Sequence, residues 1–288
     1  MARADRYTIA DLQQQFPNED VCLDFIFNNL HSTECSCGGT YTRLSGRKQY
    51  QCSKCRFQIA PTAGTIFHKS ATPLPTWFFA LFVFSNAKSG ISAMELQRQI
   101  GVTYKCAWRM LKQIRKALGQ DTHKLRGDVE FDAAFFGGKG NAGKDNVRLS
   151  EVMKAKGVAM AAYERGGQMR ALVVPNEGKE AHYDFIQGNI EKGSRLLTDG
   201  TCRISSIEGY DRQKVNHSKR QFVRGDVHVN NIEVFWGHIK RSLKGTHKAI
   251  SKDYLQSYLD AFVFHYNNRH SDTERFAILL GTVLREAR

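Results

Sequence analysis

Between Val227 and Gly245 the apolar residues Ile232, Phe235, Trp236, Ile239 and Leu243 recur at offsets of three, four, seven and eleven. That period predicts one helix with a single buried stripe. Glu233 stands at the border of the stripe. Lys240 and Lys244, seven and eleven residues further on, share its face, so an acid and a row of cations look out along one edge. The same residues allow a plainer reading, because Asn230 followed three positions later by Glu233 is also a capping-box pattern, in which the glutamate serves only the helix end.

Upstream the pattern changes period several times. Residues 1–32 read as a helical lead-in interrupted at Pro17, and Leu74 to Ala87 as a buried aromatic helix with Pro73 and Pro75 at its start. Residues 92–118 predict two helices: Ser92 caps the first, Gly101 ends it and Thr103 caps the second. In that second helix Lys105, Arg109, Lys112, Arg115 and Lys116 alternate with Ala107, Trp108, Leu111 and Ile114. This is either a helix-turn-helix whose cations meet DNA phosphates or an ordinary helical hairpin with a solvated basic face.

After Gly127 the alternation is of strand type. DVEFDAAFFGG carries Asp132 in its middle and ends in a Gly-Gly turn followed by Lys139. A glycine- and lysine-rich cationic loop comes next, then a hairpin turning at Gly166 and Gly167, a helix over residues 179–192, and a strand, SRLLTDG, that delivers Asp199 at its end. Three antiparallel strands with the fourth beside the first would set Asp132 next to Asp199. A helix laid across that sheet would bring Glu233 to the same place. The expected fold class is therefore α/β: a ribonuclease-H-like catalytic domain, a mixed five-stranded sheet with helices, over residues 127–288. It is preceded by a lead-in at 1–32, a cysteine module at 33–67 and a helix-turn-helix region at 68–126.

Charge narrows the partner. The 288 residues carry 42 Lys and Arg against 28 Asp and Glu, a net charge of +14 and a pI near 9.5, which points to a polyanion, nucleic acid before membrane. The N-terminal stretch is polar and charged, unlike a secretory signal, and the longest apolar run, Trp77 to Phe84, falls far short of the ~20 residues that span a bilayer. A cytoplasmic, nucleoid-associated protein is expected. Of seven cysteines, Cys35, Cys37, Cys52 and Cys55 cluster in one short segment. Two pairs flanking a β-like stretch read as a zinc ribbon with structural Zn2+, against the alternative of unliganded thiols. The second pair is CxxC; the first is a tighter CxC. Arg43, Arg47, Lys48, Lys54 and Arg56 make the module cationic.

Three carboxylates brought together repel one another unless a cation holds them, and hard oxygen ligands select Mg2+ or Mn2+. Two such ions clamp a phosphodiester for in-line displacement. The segments VEFDAAFFGGK, LLTDG, VNHS, HVNNIEVFWGHIKRSLKG and YLDAFVFHYNNR resemble the catalytic domain of bacterial insertion-sequence DDE transposases that carry an N-terminal zinc ribbon, a group related to the eukaryotic Merlin elements.

That resemblance implies a catalytic triad of Asp132, Asp199 and Glu233, with 33 residues between the last two. It also implies hydrolysis at transposon ends and transfer of the freed 3′ hydroxyls to target DNA. The ribbon and helix-turn-helix would recognise double-stranded ends, with Lys105, Arg109, Lys112 and Lys139 as contacts and Lys240, Arg241 and Lys244 near the scissile strand. At least a homodimer would synapse two ends. Ala133 stands where relatives commonly place a second acid. His217 and His228 are candidates for a DNA or metal contact, with polar surface as the alternative. Two other functions remain open: a DNA-binding protein that has lost catalysis, and a nuclease of the same fold acting on hybrid or branched substrates.

Overall fold

The computed structural model describes residues 6–119, 122–137, 156–200, 202–204, 206–216 and 219–285. The chain folds as two compact units, residues 1–118 with 270–288, and residues 119–269.

In the first unit the lead-in is two helices, α1 (Ile9–Gln15) and α2 (Glu19–Leu30). Pro17 separates them. Thr8 and Asp11 form a capping box on α1, and the Asn18 side chain accepts from the amides of Asp20 and Val21 to start α2. A small antiparallel meander comes next: β1 (Tyr41–Arg43), β2 (Tyr50–Cys52) and β3 (Gln58–Ile59). Its cations turn inward more than the sequence suggested, since Arg43 pairs with Asp20 and Lys48 with Glu19, both on α2.

The aromatic run forms α3 (Leu74–Asn86), with Pro73 as N-cap and the Leu74 amide donating to Glu19 Oε2 at 2.7 Å. Trp77 and Phe78 are fully buried there. Helices α4 (Ala93–Ile100) and α5 (Tyr104–Lys116) begin at the expected caps: Ser92 accepts from the Glu95 amide and Thr103 from that of Cys106. Gly101, at φ +67°, closes α4 in the left-handed conformation that glycine adopts without strain.

The second unit is built on a mixed five-stranded sheet. Strands β4 (Asp128–Phe136), β5 (Gly157–Glu164) and β6 (Met169–Val174) are antiparallel neighbours; β7 (Arg195–Thr198) lies parallel to β4, and β8 (Asp211–Lys214) parallel to β7. The order across the sheet is β6-β5-β4-β7-β8. The edge strand β8, DRQK, has no apolar alternation, and so the periodicity that located the other four did not locate it.

Helices cover both faces. On one, Ala134, Phe136, Ala159, Ala161 and Ala171 meet α7 (Asn230–Ser242) and α8 (Lys252–Asn267); on the other, Val129, Phe131, Met160 and Ala162 meet α6 (Lys179–Asn189). The small residues let the helices approach: a Cβ on Gly157 would stand 2.8 Å from Leu255 Cδ2. The exposed edge of β6 is taken up by α8 side chains. Gln256 Oε1 accepts from the Val173 amide, Asn267 Oδ1 accepts from the Met169 amide, and Asn267 Nδ2 donates to the Met169 carbonyl. Beyond α7 the chain runs through a π turn, Leu243–His247.

The last helix, α9 (Arg275–Arg285), belongs to the first unit, where Phe276 packs with Phe16, Phe82 and Tyr7. One domain from 127 to 288 was expected; the compact unit ends at 269, because the apolar face of α9, led by Phe276, finds its core beside α3. Among the described residues no helix is long and apolar enough to cross a membrane.

Replacing Asn267 by Ala strips two hydrogen bonds from the β6 edge. Urea denaturation is expected to show a loss of about 1–3 kcal/mol.

Candidate metal and nucleic-acid sites

The parallel pairing of β4 with β7 runs Asp128↔Arg195, Val129↔Leu196, Glu130↔Leu197 and Phe131↔Thr198. The next step in that register is Asp132 beside Asp199, which stands one residue past the end of β7. Asp199 is half-buried and its Oδ1 accepts from the Cys202 amide at 3.1 Å. Asp132 has the strand parity of Ala134 and Phe136, so it faces the side covered by α7. Glu233 is exposed in the first turn of α7.

Asp132 feels both of the other acids. The Asp132 carboxyl is pushed up from the ordinary carboxylate range to about 7, first by burial and next by the charge of Asp199; Glu233 adds to the rise, while the Ala133 amide and Lys240 oppose it. Lys240, Arg241 and Lys244 are exposed along α7 and its π turn. Lys139 and His217 lie outside the described residues. The carboxylates of the three acids are hard oxygen donors of the kind that bind divalent cations, and a cation would offset the charges that add to the effect of burial at Asp132, although the oxygens of the three do not all lie within 4.8 Å of one another.

The capping-box reading of Glu233 is overturned. The N-cap of α7 is Val229, which has no polar side chain to offer, and the helix amides are served from the sheet instead. Glu130 Oε2 accepts from the Asn231 amide at 3.0 Å and the Ile232 amide at 3.3 Å, and Oε1 accepts from Asn231 Nδ2 at 2.8 Å. Arg165 Nε donates to Glu130 Oε1 at 3.0 Å, and its other nitrogens donate to the carbonyls of Asp226 and His228. His228 is placed against this pair, with Nδ1 3.4 Å from Glu130 Oε1. Sequence reasoning missed Glu130 and Arg165. The available signal was a second acid two residues before Asp132, hence on the same strand face.

Ala133, which stands where relatives commonly place a second acid, lies on the other face of the sheet. Its side chain packs with the layer of Phe131 and α6, on the face away from Asp132, so an acid at this position would not join the three carboxylates.

In the first unit the four cysteines are free thiols whose Sγ atoms all lie within 4.8 Å of one another, the one such group of metal-binding side chains among the described residues. Cys35 and Cys55 are 3.7 Å apart and Cys37 and Cys52 3.4 Å. Tetrahedral thiolates at about 2.3 Å from zinc would be separated by ~3.8 Å, so the set fits that ion and the meander fits a zinc ribbon. The tight first pair is accommodated by the two glycines after Cys37. Gly38 adopts φ +75°, and a Cβ on Gly39 would stand 2.6 Å from Cys52 Sγ. The Cys35 thiol is drawn down to about 6, mainly by the Cys37 amide and then by the Tyr41 hydroxyl.

The cations of α5 are unequal. Lys105 is exposed in the first turn, whereas Arg109 is half-buried and donates to Ser70 Oγ at 3.2 Å, and Lys112 lies over the Trp108 ring.

Elemental analysis is expected to find one zinc per chain, lost in Cys52→Ser and Cys55→Ser and reduced in Gly39→Ala. Asp132 supplies a second expectation. Its folded-state pKa is raised, so the folded protein holds a proton that the unfolded chain releases, and the destabilisation grows from about pH 4 to about pH 7. In protein freed of magnesium, Asp132→Asn should therefore raise unfolding stability at pH 8 by an amount on the order of a few kcal/mol, and change it little near pH 4.

Residues 124–267, half of the chain, match the family model of the ISXO2-like transposase domain. The chain is also 27% identical over 230 residues to a protein described as uncharacterized, in transposable element ISH50 of Halobacterium salinarum; the match covers 75% of this chain and 77% of that protein. With the matched span falling wholly within the second compact unit, the chain belongs to the ISXO2-like transposase family.

Proposed function

We propose that this chain is the transposase of an insertion sequence, which binds the element's ends and carries out metal-dependent cleavage and transfer of 3′ ends to target DNA. Asp132, Asp199 and Glu233 are its catalytic carboxylates. The observation that carries this reading is the β4–β7 register, which continues into Asp132 beside Asp199 while α7 brings Glu233 close enough to shift the same carboxyl. The sheet order, three antiparallel strands followed by two parallel ones with helices on both faces, supports a ribonuclease-H-like domain.

Magnesium or manganese ions held by the three carboxylates supply Lewis-acid stabilisation of the attacking and leaving oxygens. The chain's own residues do the rest. Asp132 on β4 and Asp199, one residue past the end of the adjacent β7, present two donors held by the sheet, and Glu233 adds a third from the helix. Lys240, Arg241 and Lys244 offer cations to backbone phosphates along the same helix. In the first step water attacks the phosphorus at the element's end, the P–O3′ bond breaks, and the departing oxygen takes a proton to become a 3′ hydroxyl. In the second, that hydroxyl attacks a target phosphodiester, forming a new O3′–P bond and releasing a target 3′ hydroxyl.

End recognition falls to the ribbon and the α4–α5 pair, read as a helix-turn-helix on the strength of the Gly101 turn and the exposed Lys105. Zinc held by the four cysteines has a structural role. Two ends cut in concert require at least a dimer on double-stranded DNA, and such a substrate places the protein at the nucleoid.

The test is to incubate purified protein with its own gene and flanking DNA in Mg2+ or Mn2+ and map new 3′ ends. Discrete nicks at repeated flanking sequences are expected, abolished by Asp132→Asn, Asp199→Asn or Glu233→Gln with end binding retained. Cleavage that survives in any of these variants removes that residue from the site; binding at the repeats with no nick in the unaltered protein contradicts the enzyme.

A further inference from the structure

Among the described residues of the second unit Glu130 is the most enclosed acid, its side chain 0% exposed. A buried carboxylate survives only if its charge is paired and its oxygens are bonded. Glu130 meets both conditions through partners on two other elements: Arg165 in the β5–β6 turn, and the first turn of α7. The helix gains as well, because its orphan amides and positive end receive a full negative charge that Val229 cannot give.

The positions of these contacts matter more than their number. Glu130 is two residues before Asp132 on β4, and its helix partners Asn231 and Ile232 are the two residues immediately before Glu233. A strand atom and a helix atom are thus tied at the point where each element is about to present its carboxylate. Arg165 widens the tie by holding the Asp226 and His228 carbonyls, which fixes the approach of the chain into α7.

We propose that Glu130 and Arg165 form a positioning clamp that fixes the strand and the helix from which Asp132 and Glu233 reach toward metal, so that an arriving ion has only their side chains to draw together. The proposal rests on the reading of those acids as metal ligands. Neither clamp residue touches the metal or DNA in this scheme; both act through the two carboxylates.

The test measures Mn2+ binding to the DNA-free protein by electron paramagnetic resonance, beside hydrogen exchange of the segment containing Asn231 and Ile232. Glu130→Gln and Arg165→Met are expected to weaken Mn2+ binding by about 10- to 100-fold, the range seen when a ligand's supporting partner is lost, and to speed exchange in that segment. Arg165→Lys, which keeps the charge but not the forked contacts, should fall between. The comparison is Ile186→Ala, a core truncation on the opposite face of the sheet, which should lower the melting temperature while leaving Mn2+ affinity within about twofold.

If Glu130→Gln does not fold, Asn231→Ala leaves the ion pair in place and removes one bond to Oε1; a measurable loss of Mn2+ affinity is expected there too. Clamp variants that melt earlier, as Ile186→Ala does, yet bind Mn2+ like the unaltered protein would overturn the proposal. A different failure is recognisable separately. Unaltered protein whose Mn2+ binding is not diminished by Asp199→Asn would refute the carboxylate reading itself.

Discussion

The parallel register between β4 and β7 is the constraint on which the rest of the second unit depends. It is anchored at its start by an ion pair, Arg195 with Asp128 across the two strands, and its next step after Phe131↔Thr198 sets Asp132, within β4, level with Asp199 just past the end of β7. A partly exposed pair of this kind contributes little energy, but it specifies alignment, and a slip of one residue would turn Asp132 to the α6 face. The strain of the arrangement is visible in Asp132, whose carboxyl is held near neutrality by burial and by Asp199.

The helix side of the site obeys a similar logic. An amphipathic helix beginning at Val229 lacks its own cap, and the sheet supplies one through Glu130. This frees Glu233 from a capping role and leaves it exposed in the first turn. Apolar contacts from Ile232, Phe235, Trp236 and Ile239 against the alanine-rich face of β4 and β5 then hold the helix close to the strands. Packing sets the distance and the buried acid sets the axial position.

Much of this was legible in the chain. The 3.6 period of α7, the alternation in β4, the glycine turn at 166–167 and the caps at Ser92 and Thr103 are local signals, and each element formed where its signal lay. The placing of β7 beside β4, with their parallel register, followed from topology. What was hidden is what only tertiary contact decides. Strand β8 is polar and short. Arg43 and Lys48 are engaged by acids on α2, and α9 joins the other unit through Phe276. Glu130 reads in sequence as one more acid on a strand; its meaning depends on a helix start a hundred residues away.

The tight CxC pair and Ala133, which stood out as departures, have structural answers. Gly38 and Gly39 give the knuckle room that a Cβ would remove, and Ala133 faces the opposite layer. The central claim, that three carboxylates from β4, the end of β7 and α7 jointly hold divalent metal, is tested most directly by anomalous diffraction from crystals soaked in Mn2+. The account predicts manganese peaks bonded to Asp132, Asp199 and Glu233 together. Manganese bound elsewhere on the second unit, with these three side chains unliganded at saturating Mn2+, would contradict it.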